Sequence, residues 1–151
     1  MKIIRHIVLL ALSTLLFTSC DKMGENDQVS GFWQLVSVQN GSTTTDVTED
    51  KIFWGLQDGI ISIRSTVISF STFEGNEKCY ELIGRYSKNG EYLYIEELFC
   101  HYDSHDEPIP NISDVLCRYG INTLMPHYEI ERKKADMTLS YETGTLTFRK
   151  S

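Results

Sequence analysis

Apolar residues fall along this chain in short runs, many on alternate positions and most broken by polar turns, which is the pattern of half-buried strands. "GFWQLVSV" (31–38) is an apolar run that ends at Asn40 followed by Gly41, a turn signal. "TTTDVTED" reads as a polar loop, and "KIFWGL" (51–56), "GIISIRS" (59–65) and "TVISFSTF" (66–73) as short β-rich pieces. "HYDSHDEPIPN" (101–111) is a second polar loop closed by Pro108 and Pro110. "SDVLCRYG" (113–120) predicts a short helix: Ser113 suits the N-cap, Asp114 the positive helix start, and Gly120 the stop. Strands return in "HYEIER" (127–132), "DMTLSY" (136–141) and "GTLTFRK" (144–150), where Tyr128 and Ile130, Met137 and Leu139, and Leu146 and Phe148 alternate with polar residues. The sum is an all-β chain, an antiparallel up-and-down β-barrel of about eight strands with one short helix before the last strands, because closure hides edges that such strands would otherwise expose.

The most informative stretch is "EKCYELIGRYSKNGEYLYIEELFC" (77–100). Asn89 and Gly90 between two alternating runs form a strong hairpin signal. With those two residues as the loop, Lys88 faces Glu91. Tyr80, Leu82, Gly84 and Tyr86 then share the inward face with Phe99, Glu97, Ile95 and Leu93. A bulge near Glu96 and Glu97 would instead turn Glu97 outward. The uninterrupted register sets Cys79 opposite Cys100 in a non-hydrogen-bonded row, with Cα atoms about 4.5 Å apart and within disulfide reach. Three unpaired cysteines, or a bridge using Cys117, remain open.

The first 19 residues, "MKIIRHIVLLALSTLLFTS", put Lys2 and Arg5 before a short apolar core and end in small residues. That is the order of a secretory signal peptide, and the core of about eleven residues falls short of the ~20 a spanning helix needs. The junction at Cys20 resembles the lipobox of Gram-negative bacterial lipoproteins. The resemblance implies cleavage before Cys20 and acylation of its thiol and new amino group. Two or more chains hold a protein stably where one does not. Residues 20–29 then read as lipidated cysteine and tether, and 30–151 as one folded domain. An exported chain meets an oxidising compartment, where disulfides persist.

Cleavage leaves 132 of 151 residues, enough for one core. The leader holds two of the 14 basic residues and none of the 21 acidic ones, so the mature charge is −9. Such a surface repels phosphate backbones, and no nucleic-acid partner is expected.

Gly31-Phe32-Trp33 at the start of the first strand resembles the G-x-W signature of lipocalins. With the lipobox, the short helix ending in "YGI" and the closing "YEIER…MTLSYETGTLTFRK", the chain looks like a lipocalin-like lipoprotein of Gram-negative bacteria. That resemblance implies that Trp33 plugs one end of the barrel with Arg149 lying over it. The lipoprotein group is largely without assigned function, so the likeness carries fold further than role. Phe53, Trp54, Phe70, Tyr80, Tyr86, Glu97 and Phe99 are the candidates to line an interior, since eight-stranded barrels either fill with side chains or hold one small ligand.

Other chemistry is sparse. His101, Asp103, His105, Asp106 and Glu107 could ligate a metal, but in a polar loop they read as solvated, and neither metal nor cofactor is expected. Ser62, Ser69 and Ser71 sit in no nucleophile-elbow pattern, so no enzyme is expected. "ERKK" (131–134) reads as a solvated basic hairpin tip. The function expected is a lipid-anchored envelope protein, placed in the outer membrane, that binds a small apolar or amphipathic ligand. The alternative is a solid barrel whose surface meets an envelope protein or glycan.

Overall fold

The structure, a computed structural model, describes residues 29–71, 78–79, 81–109 and 114–151. The leader, Cys20, Tyr80 and Ser113 lie outside these residues, as does the side chain of Phe70.

Eight antiparallel strands close on themselves: β1 (Gly31–Asn40), β3 (Ile52–Gln57), β4 (Ile60–Ser65), β7 (Glu81–Asn89), β8 (Tyr92–His101), β10 (His127–Lys133), β11 (Asp136–Tyr141) and β12 (Gly144–Lys150). The ring runs β10-β11-β12-β1-β3-β4-β7-β8, and β8 pairs back onto β10. That last seam is short: His127, Tyr128 and Glu129 pair with Tyr94, Leu93 and Tyr92. Above it β8 pairs instead with β9 (Asp106–Pro108), and β1 likewise passes from β3 to β2 (Thr43–Asp46). Both short strands fall in stretches expected to be polar loops. Their side chains are mostly exposed, so no apolar alternation announces them. Of "TVISFSTF", only β5 (Phe70–Ser71) is a described strand, and it pairs with β6 (Lys78–Cys79).

The long hairpin departs from the expected register. Asn89 pairs with Tyr92, so Gly90 and Glu91 make the turn, and every row moves by two residues without changing its face. A bulge between Arg85 and Tyr86 on one strand, opposite Glu96, then shifts the upper rows by one. That single residue flips the far half of β8. Leu98 and Cys100 point inward with Leu82, and Phe99 turns to the outer wall. Glu97 likewise faces out, ion-paired with Arg85. Gly84 sits at the crossing, where a Cβ would run into the carbonyl oxygen of Glu97.

Cys79 and Cys100 are joined in a disulfide with Cα atoms 5.9 Å apart. The bridge does not run across the expected β7–β8 row, which pairs Leu82 with Cys100; it ties β6 to β8. Cys117 is free and half-buried, and burial pushes its thiol pKa up.

The helix α1 (Asp114–Arg118) leads into Tyr119, Gly120 and Ile121, all buried inside one mouth of the barrel. Gly120 has φ +89°, and a Cβ there would lie 2.9 Å from Leu146 Cδ1 and 3.1 Å from Trp54. Gly120→Ala should therefore lower unfolding stability in urea by about 2–4 kcal/mol through backbone strain plus overpacking. Gly41→Ala, at φ +58° in open space, should cost only about 1 kcal/mol. Equal losses would mean that the buried turn does not fill the mouth.

Candidate functional site

The interior is occupied. Trp54, on the inward face of β3, is fully buried and meets Phe148 and Tyr128 edge-on at 5.1 and 6.1 Å between ring centroids. Its indole N–H donates to the Tyr119 carbonyl at 2.9 Å, and the Tyr128 hydroxyl donates to the Gly120 carbonyl at 3.0 Å. Burial pushes the Tyr128 phenol far above its ordinary pKa, so it stays a donor. The turn at 119–121 thus enters the barrel as a plug, with the Tyr119 and Gly120 carbonyls satisfied by wall side chains. Outside the plug, Arg118 grips Asp50 through both carboxylate oxygens, and the Tyr119 hydroxyl donates to the Ile68 carbonyl at 2.7 Å.

This arrangement places the interior candidates differently from the expectation. Trp54 and Tyr86 are core side chains, while Phe53, Glu97 and Phe99 belong to the outer wall. Phe53 faces out because Ile52 and Trp54 on either side take the inward positions. Among the described residues, these candidates are split between the core and the outer wall.

At the opposite end Trp33 is fully buried, and its indole N–H donates to the Val29 carbonyl at 2.7 Å. The cations over its ring are Arg132, 5.1 Å from the centroid, and Lys150, 5.9 Å away. Arg149 does not take that role. Phe148 points inward, so strand alternation sends Arg149 outward and returns Lys150 to the side of Trp33.

An open concavity lies on the outer wall. Phe32, 46% exposed, leans across Gly55 on the neighbouring strand, where a Cβ would meet its ring at 3.2 Å. Arg64 holds its guanidinium carbon 5.3 Å from the same ring. Beside this platform a groove of about 370 Å³ is lined by Gly31, Phe32, Leu56, Asp58, Ile60 and Ser62, among others. Ile60 is 48% exposed, and the Ser62 hydroxyl donates to Glu81. Sequence reasoning looked inward and passed over Phe32. The available signal was an outward aromatic facing a strand glycine.

The acidic, histidine-bearing loop does not form a metal cluster among the described residues. Its groups pair two by two: His101 Nδ1 with Asp106 at 2.7 Å, and His105 Nε2 with Glu107 at 3.0 Å. His105 also stacks on the buried Tyr102, 5.0 Å between centroids. The hydrogen bond that His101 donates to Asp106 raises its pKa, with Asp106, Glu81 and Asp103 adding through-space charge. A raised folded-state value means that this pair's contribution is present below the ordinary histidine range near 6.5 and is lost as pH climbs through the folded value. An NMR titration should give His101 a pKa above that range, and Asp106→Asn should bring it down; no change on substitution would break the assignment.

A sequence profile for the family described as "Lipocalin-like domain" matches residues 15–151. The crystal structure of a lipocalin-like protein from Bacteroides uniformis ATCC 8492 is similar to this chain, with 22% identity and a TM-score of 0.54 over 81% of this chain and 97% of that one. An uncharacterized protein from Bacteroides eggerthii DSM 20697 shows 19% identity and a TM-score of 0.51 over 81% and 98%. No curated protein matches the chain. At these identities the structural likeness establishes the fold, and the profile match extends over most of the sequence. The chain belongs to the lipocalin-like domain family.

Proposed function

We propose that this is an envelope protein, held to a bilayer by an acylated Cys20, that binds a small amphipathic ligand on the outer wall of a solid barrel. The observation that carries the reading is the groove beside Phe32. Its volume of about 370 Å³ falls within the usual range for small-ligand sites. Phe32 and Ile60 offer apolar surface, while Asp58, Gln57 and Ser62 offer hydrogen-bonding groups along one edge. An amphipathic molecule matches that division. The anchor reading is supported by the order of charge, apolar core, small residues and cysteine in the first 20 positions. The family match begins at residue 15 and so includes Cys20.

A second reading has its own support. Tyr92, Tyr94, Leu124 and Met125 are exposed, and Tyr94 stacks on His127 across the β8–β10 seam at 6.0 Å. A surface of that kind suits an envelope protein or glycan as partner.

Protein extracted from its own membranes should have the intact mass of a chain that begins at an acylated Cys20. Titrated with octyl glucoside below its micelle threshold, it should show chemical-shift changes around Phe32 and Ile60. Gly55→Val, which fills the groove floor, and Phe32→Ala should each weaken that binding at least about tenfold, the scale expected for losing one well-packed aromatic or its site. Shifts confined to Tyr94 and Met125 would favour the second reading. Shifts at Trp54 and Phe148 would overturn both.

A further inference from the structure

The strand directions gather the start of β1, the end of β12 and the β3–β4, β7–β8 and β10–β11 turns at one end of the barrel. The β8–β9 loop, α1 and the Thr48–Asp50 turn lie at the other. Charge divides along the same axis. At the first end Arg132, Lys133 and Lys134 of the β10–β11 turn meet Arg149 and Lys150 of β12. Asp136 pairs in register with both Lys133 and Arg149, and the Lys150 amide donates to the Ala135 carbonyl at 2.7 Å. Lys133, Lys134, Arg149 and Lys150 are exposed. Acids share this end: Glu129, Glu131 and Asp136 lie beside the cations, Glu91 accepts from the Ile130 N–H through its carbonyl, and Asp58 sits on the β3–β4 turn; Glu131 touches Lys133 at 2.6 Å. The far end is dominated by acids, among them Asp50, Asp103, Asp106, Glu107, Asp114 and Glu142.

This basic corner is also where the tether enters. β1 starts at Gly31, and Trp33 pairs with Lys150. Only residues 21–28 separate Cys20 from Val29, a span of at most about 30 Å when fully extended. An acylated Cys20 therefore attaches the chain at this end. The net charge, −7 for the full chain and −9 once the expected leader is removed, would repel an anionic surface if it were spread evenly. Among the described residues the excess of acids over bases lies mainly at the far end, and this turns the molecule, because surface potentials act only within about a Debye length.

We propose that the corner formed by Arg132, Lys133, Lys134, Arg149 and Lys150 docks on anionic phospholipid headgroups and fixes the tethered barrel with its acidic end outward. The orientation in the cell rests on the anchor reading; the docking chemistry does not. A cation close to an anionic bilayer favours binding by roughly fivefold per charge, so a pair of reversals has a large effect.

The test uses the full chain with Cys20→Ser, which cannot be acylated, sedimented with vesicles of phosphatidylglycerol mixed with phosphatidylcholine and with phosphatidylcholine alone. Lys2 and Arg5 of the leader add their own preference for the anionic vesicles, but every variant shares it, so the comparison between variants isolates the substituted residues. Lys133→Glu with Lys134→Glu should cut that difference at least about tenfold, and added salt should abolish it in the parent. Asp103→Lys with Glu142→Lys at the far end changes net charge in the opposite sense and should leave the difference within about twofold, since those sites lie beyond screening range. Binding that tracks net charge at either end, or that ignores both salt and the Lys133/Lys134 reversal, would overturn the proposal. An unmodified Cys20 in native protein would overturn the anchor alone, so the two failures are distinguishable.

Discussion

The structure turns on how a barrel closed by one three-row seam is kept full. The β8–β10 ladder has three rows, at Tyr92, Leu93 and Tyr94, with one more backbone hydrogen bond at each end, and above that seam the wall is completed by other means. The buried turn after α1 supplies them. A turn brings backbone carbonyls with it, and a buried carbonyl without a donor is costly. The wall answers with the indole of Trp54 and the phenol of Tyr128, each donating to one of those carbonyls. The large aromatics of the core are therefore polar anchors as well as packing, and the space they share with Tyr119 and Ile121 is unavailable to a ligand.

In the proposed reading, a filled core moves recognition to the outside. Backbone polar groups are already consumed in the ladders, so only side chains standing off the outer face can build a site. Phe32 and Gly55 do so by a simple trade. The absent side chain on one strand gives the ring on the next a place to lie, and the space beside it stays open. The same outer face carries Arg64 against the ring, which tips one rim of the groove toward positive charge.

Much of the fold was legible because alternation and turn residues act locally. β10, β11 and β12 and the short helix fall where the pattern sets them, and the hairpin around Gly90 forms. What escaped was set by single-residue events that alternation does not record. The bulge near Glu96 adds one residue to β8, and Glu97 and Phe99 change faces with it; only Gly84, at the crossing, hints at the close backbone approach. Arg149 and Lys150 are adjacent and both basic, so only the inward setting of Phe148 decides which one reaches Trp33. Cys79 meets Cys100 by way of β6, a strand too short to show a period. β2 and β9 are polar edge additions, held by backbone pairing rather than by apolar faces. The groove was missed for a different reason: an exposed aromatic reads as ordinary outward alternation until its cross-strand neighbour is known.

The central claim, that the interior is solid and the plug is tied to the wall, is tested most directly by hydrogen exchange of the Trp54 indole N–H. Its protection should match that of global unfolding and stay unchanged when an apolar fatty acid is added. Exchange far faster than global unfolding, or protection that changes with the fatty acid, would mean that the barrel opens to admit a ligand and would contradict the account.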